Sequence, residues 1–467
     1  MENPSVSDAD YGGRRGRRIV PLRDWTQGSI LGNLWLLSWP MMVGSSLNML
    51  GPTIDMIWVG KLGAASIAGV GISGMAVMVV NSLLQGLFTG TRAMVARLFG
   101  AGDREGANHV AQQAFVVGAA FSVFMAIIGI FMAEPILLIF GVEADVVSEG
   151  AAYMRVQFVG MVTMSLRMLT EAAMQASGDS FTPMRIAIFF RLLHVALCPF
   201  LVFGWWIFPH LGVSGAALTN VISQGIGGAL GLWFLFAGRT RLRLTMKNFR
   251  FNGSLLWRLV KIGFPASITG AERTIANMVL MYFVAPFGTA AVAAHSLIQR
   301  IDAFLHMPAQ GLGQAAGVLA GQNLGAGKPE RAVKTGWLAA GLVTGAMVIS
   351  SLVVWFWAEG IVGIFNTESE LVVIASNFLR IEIVSYMVFG VVVVLMQCLN
   401  GVGDTWIPMI TTLATMWLVQ VPLAYFLPKH TSLGVYGVRW GIVSAIAMRA
   451  VIYATYFKSG RWKRKKV

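Results

Sequence analysis

The sequence predicts an all-α integral membrane protein with twelve transmembrane helices. These helices form two six-helix bundles related by a pseudo-two-fold axis along the membrane normal. Three observations support this fold class. The 467 residues are 56% hydrophobic and only 12% charged, and a soluble protein would carry about twice that charged fraction. Long apolar stretches recur along the chain, and the second half of the sequence repeats the first half.

The repeat relates residues 40–200 to the second half at a constant offset of 225 positions. Gly100-Ala101-Gly102 falls on Gly325-Ala326-Gly327, and Arg155 falls on Arg380. Further matched positions are Pro40 and Pro265, Gly63 and Gly288, Phe140 and Phe365, Gly178-Asp179 and Gly403-Asp404, and Pro183-Met184 and Pro408-Met409. A duplicated apolar unit is typical of transporters built from two related halves.

Apolar spans separated by short Gly- and Pro-containing turns predict the individual helices. The predicted helices are 30–58, 64–96, 107–133, 147–176, 181–204, 212–237, 255–285, 289–322, 332–357, 369–400, 404–427 and 434–457. The N-terminal bundle then covers 30–237 and the C-terminal bundle 255–457. Six helices per half is an even number, so both bundles enter the membrane with the same orientation.

Basic residues cluster in three segments: an N-terminal arm (1–29), a linker between the bundles (238–254) and a C-terminal tail (458–467). Twelve helices place all three segments on one face, which the positive-inside rule makes cytoplasmic. We therefore expect a multi-pass protein of the cell (inner) membrane with both termini in the cytoplasm. The arm lacks an apolar signal region, and we expect it to be disordered up to about Ile19.

The net charge of +14 follows from this topology. The basic runs flank membrane spans and have no soluble scaffold, so nucleic acid is disfavoured as a partner. Anionic lipid head groups of the bilayer are the expected partners of these charges. Cys198 and Cys398 both lie in apolar spans and show no disulfide or metal-binding pattern.

Charged residues inside the membrane are candidate functional residues, because a carboxylate there costs about 2.5–3.5 kcal/mol on insertion scales. Asp55 lies near the outer end of helix 1, where it either binds a coupling ion, as H⁺ or Na⁺, or accepts hydrogen bonds from loop amides. Asn48 lies on the same helix face and is a plausible companion. Glu171 either supplies a second carboxylate or neutralises Arg167, one turn away.

Several segments together resemble the multidrug and toxic compound extrusion (MATE) transporters. Pro40 and Asp55, followed by WVGKLG at 58–63, resemble the first helix of that family. The other matching segments are GVSGAAL at 212–218, GTAAVAAHSLIQRI at 288–301 and GQNLGAGKPERA at 321–332. The resemblance covers about residues 30–457. It implies antiport, in which small organic and often cationic compounds are exported in exchange for H⁺ or Na⁺.

The resemblance also bears on residues of helices 5 and 7. Family members often carry Asn and Asp four positions apart on helix 5, where this sequence has His194 and Cys198. His194 then either handles protons or packs as a satisfied core residue. Glu272 resembles a Glu of helix 7 that serves substrate or proton binding in relatives, which carry it about one residue later, where this sequence has Arg273. Glu272 then either has that role or pairs with an arginine of a neighbouring helix.

The second half contains further intramembrane charges on helices 8 and 10. Asp302 and Arg300 lie on helix 8, and Arg380 and Glu382 lie on helix 10. The repetition of Arg155 at Arg380 favours structural pairing, while Asp302 remains a candidate for ion or substrate binding.

Other function classes are less well supported by the sequence. A flippase for lipid-linked saccharides has similar helix bundles, but such flippases often have more helices or a strongly cationic cleft. A membrane enzyme is disfavoured because the usual catalytic motifs are absent, and a channel because two unequal halves do not form a symmetric pore. We expect no cofactor, a monomer, and small-molecule substrates with H⁺ or Na⁺ as the coupling ion.

Overall fold

The computed structural model describes residues 23–139, 141, 143–247, 249–366 and 368–465, with the side chains of Ala64 and Ala65 outside the description. These residues form twelve long helices and contain no β-strand. The helices are α1 (Ile30–Val59), α2 (Ala64–Gly100), α3 (Arg104–Ile139), α4 (Ala144–Ala176), α5 (Phe181–Phe203), α6 (Gly212–Phe236), α7 (Gly253–Val284), α8 (Thr289–Gly325), α9 (Pro329–Gly363), α10 (Ser369–Gly401), α11 (Trp406–His430) and α12 (Tyr436–Ser459).

All twelve predicted helices are present, and the largest differences lie at the ends of α3 and α9. Both helices run six residues beyond their predicted ends at 133 and 357. The sequence placed turns there because Glu134 and Glu359 interrupt apolar spans. In the structure each carboxylate pairs with an arginine of the next helix, Glu134 with Arg155 at 2.6 Å and Glu359 with Arg380 at 3.1 Å. The charge of Glu134 is thereby accommodated within a continuous helix. By contrast, α9 is kinked at its predicted end, because the backbone of Trp357 leaves helical geometry (φ −119°, ψ 19°) two residues before Glu359.

These two ion pairs occupy equivalent positions of the two bundles, and the same symmetry governs how the bundles meet. A methyl group added at Gly100 would collide with the backbone of Gln322, and one added at Gly325 would collide with the backbone of Arg97. The two contacts are related by the offset of 225 positions. The pseudo-two-fold axis that the repeat predicts is thus visible in individual residues.

The bundles meet along α1 and α8, α2 and α7, and α2 and α8. Glycines allow these helices to approach closely, as is usual for helix packing in membranes. Gly86 of α2 lies against Gly263 and Ser267 of α7, and Gly311 of α8 lies against Met42 of α1. The Ser267 hydroxyl also donates a hydrogen bond of 2.7 Å to the Leu83 carbonyl across this contact.

Further contacts join the bundles at the end of the molecule that carries the residues before α1, the linker and the C-terminal tail. We call this the basic end. Arg97 donates hydrogen bonds to the carbonyls of Val402 (3.2 Å) and Lys465 (2.6 Å). Gln322 donates to the buried Ala176 carbonyl at 2.7 Å, and Lys328 donates to the Thr26 carbonyl at 3.0 Å. The bundles are therefore closed against each other at the basic end.

The basic segments are more structured than their composition suggests. Residues 1–22, including the segment we expected to be disordered, lie outside the described residues. In the tail, Trp462 is fully buried, stacks on Phe457 at 4.7 Å and donates a hydrogen bond to the Phe457 carbonyl. The linker is shorter than predicted because α7 begins at Gly253, where the Asn252 side chain accepts hydrogen bonds from two backbone amides of the first turn.

Eight of the twelve helices are long and apolar enough to cross a membrane by length and composition: α2, α3, α5, α6 and α9–α12. The remaining four, α1, α4, α7 and α8, contain Asp55, Glu171, Glu272 and Asp302. Polar residues lower the hydropathy of a helix, and they are tolerated in a membrane when they face the bundle interior or a water-filled cavity. The acidic candidate residues thus lie on the four helices outside this set, whereas His194 lies on the apolar α5.

Candidate functional site

Asp55 lies four residues before the end of α1, on the side of the membrane opposite the basic end. Its carboxylate is almost completely buried and lies between α1 and α5. Oδ1 of Asp55 is 2.9 Å from Nε2 of His194, and the two side chains are only 3% and 1% exposed. Cys198, one turn further along α5, places its sulfur 3.9 Å from the same oxygen. The structure therefore brings together three residues that the sequence singled out.

Arg191 determines the hydrogen-bonding state of His194. Its Nη1 atom lies 2.9 Å from Nδ1 of His194. A guanidinium group only donates hydrogen bonds, so Nδ1 of the imidazole must accept. The remaining nitrogen, Nε2, then carries the proton and donates it to Asp55. Local geometry thus makes His194 a neutral imidazole whose Nε2–H group donates to Oδ1 of Asp55.

A chain of polar side chains leads from Asp55 through α6 toward α4. Asn220 donates to Oδ2 of Asp55 at 3.4 Å, and Gln224 donates to Oδ1 of Asn220 at 2.8 Å. Arg167 then donates to Oε1 of Gln224 at 3.3 Å. Because every donor in this chain points toward Asp55, the chain stabilises the negative charge on that carboxylate.

The other end of this chain is the Arg167–Glu171 ion pair of α4. Nη1 of Arg167 lies 2.9 Å from Oε2 of Glu171, and the side chains are 7% and 17% exposed. Gln175 donates a second hydrogen bond to Glu171 at 2.9 Å. Glu171 is therefore linked to Asp55 through Arg167, Gln224 and Asn220, while it also neutralises the arginine beside it.

The ligand atoms of Asp55, His194 and Cys198 lie within 4.8 Å of one another, close enough to surround a metal ion. The hydrogen bonds that these side chains already make argue against metal binding. The Nε2–H group of His194 donates to Asp55 and its Nδ1 accepts from Arg191. Neither ring nitrogen therefore has a free lone pair for a metal ion. Oδ1 of Asn220 already accepts from Gln224. A hard cation prefers several oxygen ligands, and Asp55 is the one oxygen donor among these three residues.

Two other buried clusters lie in the C-terminal bundle. In one, Arg439 bonds Oε1 of Glu382 and Nδ1 of His295, at 2.9 and 3.0 Å. The hydroxyl of Tyr386 donates to Asp302 next to this pair. Asp302 and Glu382 are thus part of a cluster with one arginine, a tyrosine and a histidine. This cluster is separate from the residues around Asp55.

Glu272 forms the second cluster of this bundle. The residue is 4% exposed, and Oε1 lies 3.9 Å from Nη2 of Arg449 on α12. Arg449 is held in place by a 2.6 Å hydrogen bond to the Thr415 hydroxyl. The neighbouring Arg273 has an exposed side chain. Since an arginine in the middle of a spanning helix avoids lipid, Arg273 indicates a water-accessible cleft beside Glu272.

The sequence singled out Asp55, His194 and Cys198 together and anticipated that Glu171 neighbours Arg167. The companion expected for Asp55 is different in the structure. Asn48 lies about 10 Å from Asp55 along the helix axis at 1.5 Å per residue, and Asn220 of α6 occupies the position beside the carboxylate. Asn220 and Gln224 are spaced four apart, a pattern that places two amides on one face of a helix. This four-residue spacing is the sequence pattern from which both residues could have been identified as site candidates.

Comparisons with known proteins agree with the duplicated architecture. The family model MatE matches the chain twice, at residues 40–200 and 265–426. The probable multidrug resistance protein YoeA of Bacillus subtilis is 26% identical over 446 residues, covering 94% of this chain and 96% of the relative. The probable multidrug resistance protein NorM of Burkholderia pseudomallei is 30% identical over 441 residues, covering 90% and 91%.

Solved structures show the same fold. An outward-facing multidrug resistance MATE family transporter of the MOP superfamily superposes with a TM-score of 0.88 at 23% identity, covering 93% of this chain and 96% of that one. A MOP superfamily transporter from Pyrococcus furiosus superposes with a TM-score of 0.88 at 24% identity, covering 95% and 98%. The family model covers most of both bundles and full-length relatives share the fold, so the chain belongs to the MatE family of multidrug efflux transporters.

Proposed function

We propose that this protein is a secondary active antiporter that exports small organic compounds in exchange for protons. The observation that carries the proposal is the buried Asp55 carboxylate, which accepts hydrogen bonds from His194 at 2.9 Å and Asn220 at 3.4 Å. One proton neutralises this charge, and its release restores it. When Asp55 alternates between its charged and its protonated state, the electrostatic potential of the cleft between the bundles changes with it.

The hydrogen bonds favour H⁺ over Na⁺ as the coupling ion. A sodium ion at Asp55 would have to displace the His194 N–H group, and His194 is fixed by Arg191 at 2.9 Å. A proton needs no such rearrangement, because it binds one carboxylate oxygen. Glu171, connected to Asp55 by the amides of Asn220 and Gln224, is the second carboxylate of the proposed coupling pathway.

The proposed transport cycle is alternating access by rocking of the two bundles. Contacts between Arg97 and Lys465, Gln322 and Ala176, and Lys328 and Thr26 hold the basic end closed. These are hydrogen bonds between two bodies that can separate as units. The three basic segments support a cytoplasmic assignment for this end, with both termini in the cytoplasm and the protein in the inner membrane. Closed at the basic end, the cleft opens outward.

The names of the relatives support multidrug export. Several full-length relatives are named multidrug resistance proteins. We propose organic cations as a principal substrate group, because acidic residues lie in both bundles and aromatic faces attract cations. We also propose that a single chain forms the complete transport unit, since each bundle supplies one side of the cleft.

Flux measurements in sealed proteoliposomes test the proposal. A fluorescent organic cation is loaded inside the vesicles, and a pH gradient or a sodium gradient is imposed separately. An antiporter coupled to protons moves the dye only under the pH gradient and leaves it chemically unchanged. A dye flux that needs no opposing gradient would indicate a channel, and altered dye would indicate an enzyme. Flux driven by sodium alone would overturn proton coupling.

Arg273 favours a second candidate, the transport of acidic compounds. Arg273 is an exposed residue in the middle of α7, beside the buried Glu272. The similar structure from Pyrococcus furiosus is described as having a binding pocket of reverse polarity, which suggests a different function for that protein. The same vesicles loaded with an anionic dye decide between the two candidates. Transport of the anion but not the cation would assign acidic substrates to this protein.

A further inference from the structure

A pocket of about 560 Å³ lies at the basic end, between the start of α3 and the linker that leads into α7. It is separate from the charged clusters in the membrane. The lining includes Glu105 and His109 of α3 and Lys247, Arg250 and Phe251 of the linker. The walls therefore come from the N-terminal bundle and from the linker, which ends where α7 begins at Gly253.

The pocket keeps its shape because side-chain amides of α3 hold the linker backbone. Asn108 accepts a hydrogen bond from the Thr245 amide at 3.0 Å and donates to the Thr245 hydroxyl at 3.2 Å. The buried Gln113 donates to the Arg250 carbonyl at 2.7 Å. These bonds use the linker backbone and the Thr245 hydroxyl. The charged ends of Lys247 and Arg250 are left to face the pocket and solvent.

The charge of the pocket favours an anion. Lys247 and Arg250 are exposed, and the ion pairs among the described residues involve other basic side chains. The Nδ1–H group of His109 donates to Oε1 of Gln112 at 3.2 Å, so Lys247 and Arg250 are the donors available to an anion. Glu105 is the acidic residue of the lining. Arginine and lysine together bind phosphate well, since arginine offers a planar fork of donors and lysine a point charge.

The N-terminus of α3 does not itself form the anion site. The Gly106 amide in the first turn already donates to the Asp103 carboxylate at 2.7 Å. Recognition therefore depends on the basic side chains of the linker rather than on free amides of the helix.

The protein surface beside the pocket indicates which class of molecule carries such an anion. An exposed apolar stripe starts beside the pocket and runs along α7 through Trp257 (68% exposed), Val260 (44%) and Phe264 (56%). These residues follow helical spacing and share one face. Phe251, 70% exposed, lies at the rim of the pocket. A ligand with a charged head and apolar chains matches both the pocket and the stripe.

We propose that this pocket binds the phosphate head group of an anionic glycerophospholipid, with its acyl chains along the exposed face of α7. The phosphate contacts Lys247 and Arg250. Because the walls come from α3 and the linker before α7, the bound lipid ties the N-terminal bundle to the first helix of the C-terminal bundle.

Native mass spectrometry of the detergent-solubilised full-length protein tests this site. Phosphatidylglycerol and phosphatidylcholine with identical acyl chains are titrated separately, and glycerol phosphate serves as a soluble head-group competitor. We expect one phosphatidylglycerol molecule to bind more tightly than phosphatidylcholine. Equal binding of the two lipids would overturn the proposal. Displacement by glycerol phosphate at comparable concentration would overturn the lipid source and identify a free phosphate site instead.

Paired variants locate the binding to the pocket. Lys247→Gln/Arg250→Gln removes two positive charges that line it, and Lys458→Gln/Arg461→Gln removes two from the tail, outside the pocket. Each basic residue near a membrane surface contributes about 1 kcal/mol to anionic lipid binding. We expect the pocket variant to bind phosphatidylglycerol roughly ten- to thirty-fold more weakly, and the tail variant to resemble the wild type. Equal losses in both variants would show general surface attraction and contradict a defined site.

Discussion

Nε2 of His194 lies 2.9 Å from Oδ1 of Asp55, and Nδ1 of the same ring lies 2.9 Å from the Arg191 guanidinium. Because arginine only donates, this arrangement fixes the imidazole as a donor toward the carboxylate. The relationship joins α1 to α5 within the N-terminal bundle. This hydrogen bond couples the charge state of the Asp55 carboxylate to the relative position of α1 and α5.

The first prediction concerns the charge of Asp55. Asp55→Asn keeps nearly the same shape and removes the group that we propose to bind the proton. We expect normal expression and loss of efflux driven by a pH gradient, measured with the fluorescent cation in proteoliposomes. Glu134→Gln, which alters an exposed carboxylate of α3, is the matched control and should transport normally. Full gradient-driven efflux by folded Asp55→Asn protein would remove this residue from the mechanism.

The second prediction concerns the hydrogen bond that His194 donates. His194→Gln retains an N–H group that can reach Asp55, whereas His194→Leu retains none. Oδ1 of Asp55 therefore loses its 2.9 Å hydrogen bond in His194→Leu. We expect proton-driven efflux in proteoliposomes to fall clearly in His194→Leu and to stay closer to the wild type in His194→Gln. Equal efflux by the two variants would show that His194 only fills space.

The third prediction concerns the Arg167–Glu171 pair. Removing one partner of a buried ion pair typically costs 3–5 kcal/mol, so Glu171→Gln and Arg167→Gln should each lower the thermal unfolding temperature clearly. The exposed Glu134–Arg155 pair provides the comparison, because Glu134→Gln should cost less than about 1 kcal/mol. Both effects are measured by thermal unfolding of the purified protein in detergent.

The double variant Glu171→Gln/Arg167→Gln separates structure from coupling. We expect it to recover much of the stability, since neither charge is then left without a partner, and to remain defective in proton-driven efflux. Normal efflux by the double variant would assign Glu171 a purely structural role and remove it from the coupling pathway.

The fourth prediction concerns the contact between the bundles. Leucine at Gly86 or at its equivalent Gly311 would collide with the facing helix, whereas Gly71 of α2 has open space around it. We expect Gly86→Leu and Gly311→Leu to open the basic end, and Gly71→Leu to leave it closed. Spin labels at Arg104 and Lys334, in a background without Cys198 and Cys398, report the distance between the bundles. Unchanged distances in all three variants would argue against rocking about this contact.

Sequence reasoning predicted the fold well because membrane insertion imposes strong local constraints. Apolar length and basic clusters located twelve helices, and the offset of 225 positions placed Arg155 and Arg380 in equivalent ion pairs. The chemistry around Asp55 was harder to predict. Asn220 and Gln224 are uncharged amides in an apolar helix, and the sequence does not show which face of α6 meets α1. Partners that lie 165 residues apart, as Asp55 and Asn220 do, depend on helix packing.

The most direct test of proton coupling at Asp55 is the number of protons released when substrate binds. A fluorescent organic cation is added to purified protein in weakly buffered solution, and a pH indicator records the release. We predict about one proton per bound substrate for the wild type, none for Asp55→Asn, and no change when sodium salts are replaced by potassium salts. Equal proton release from wild type and Asp55→Asn, or substrate binding that depends on sodium and releases no protons, would contradict the account.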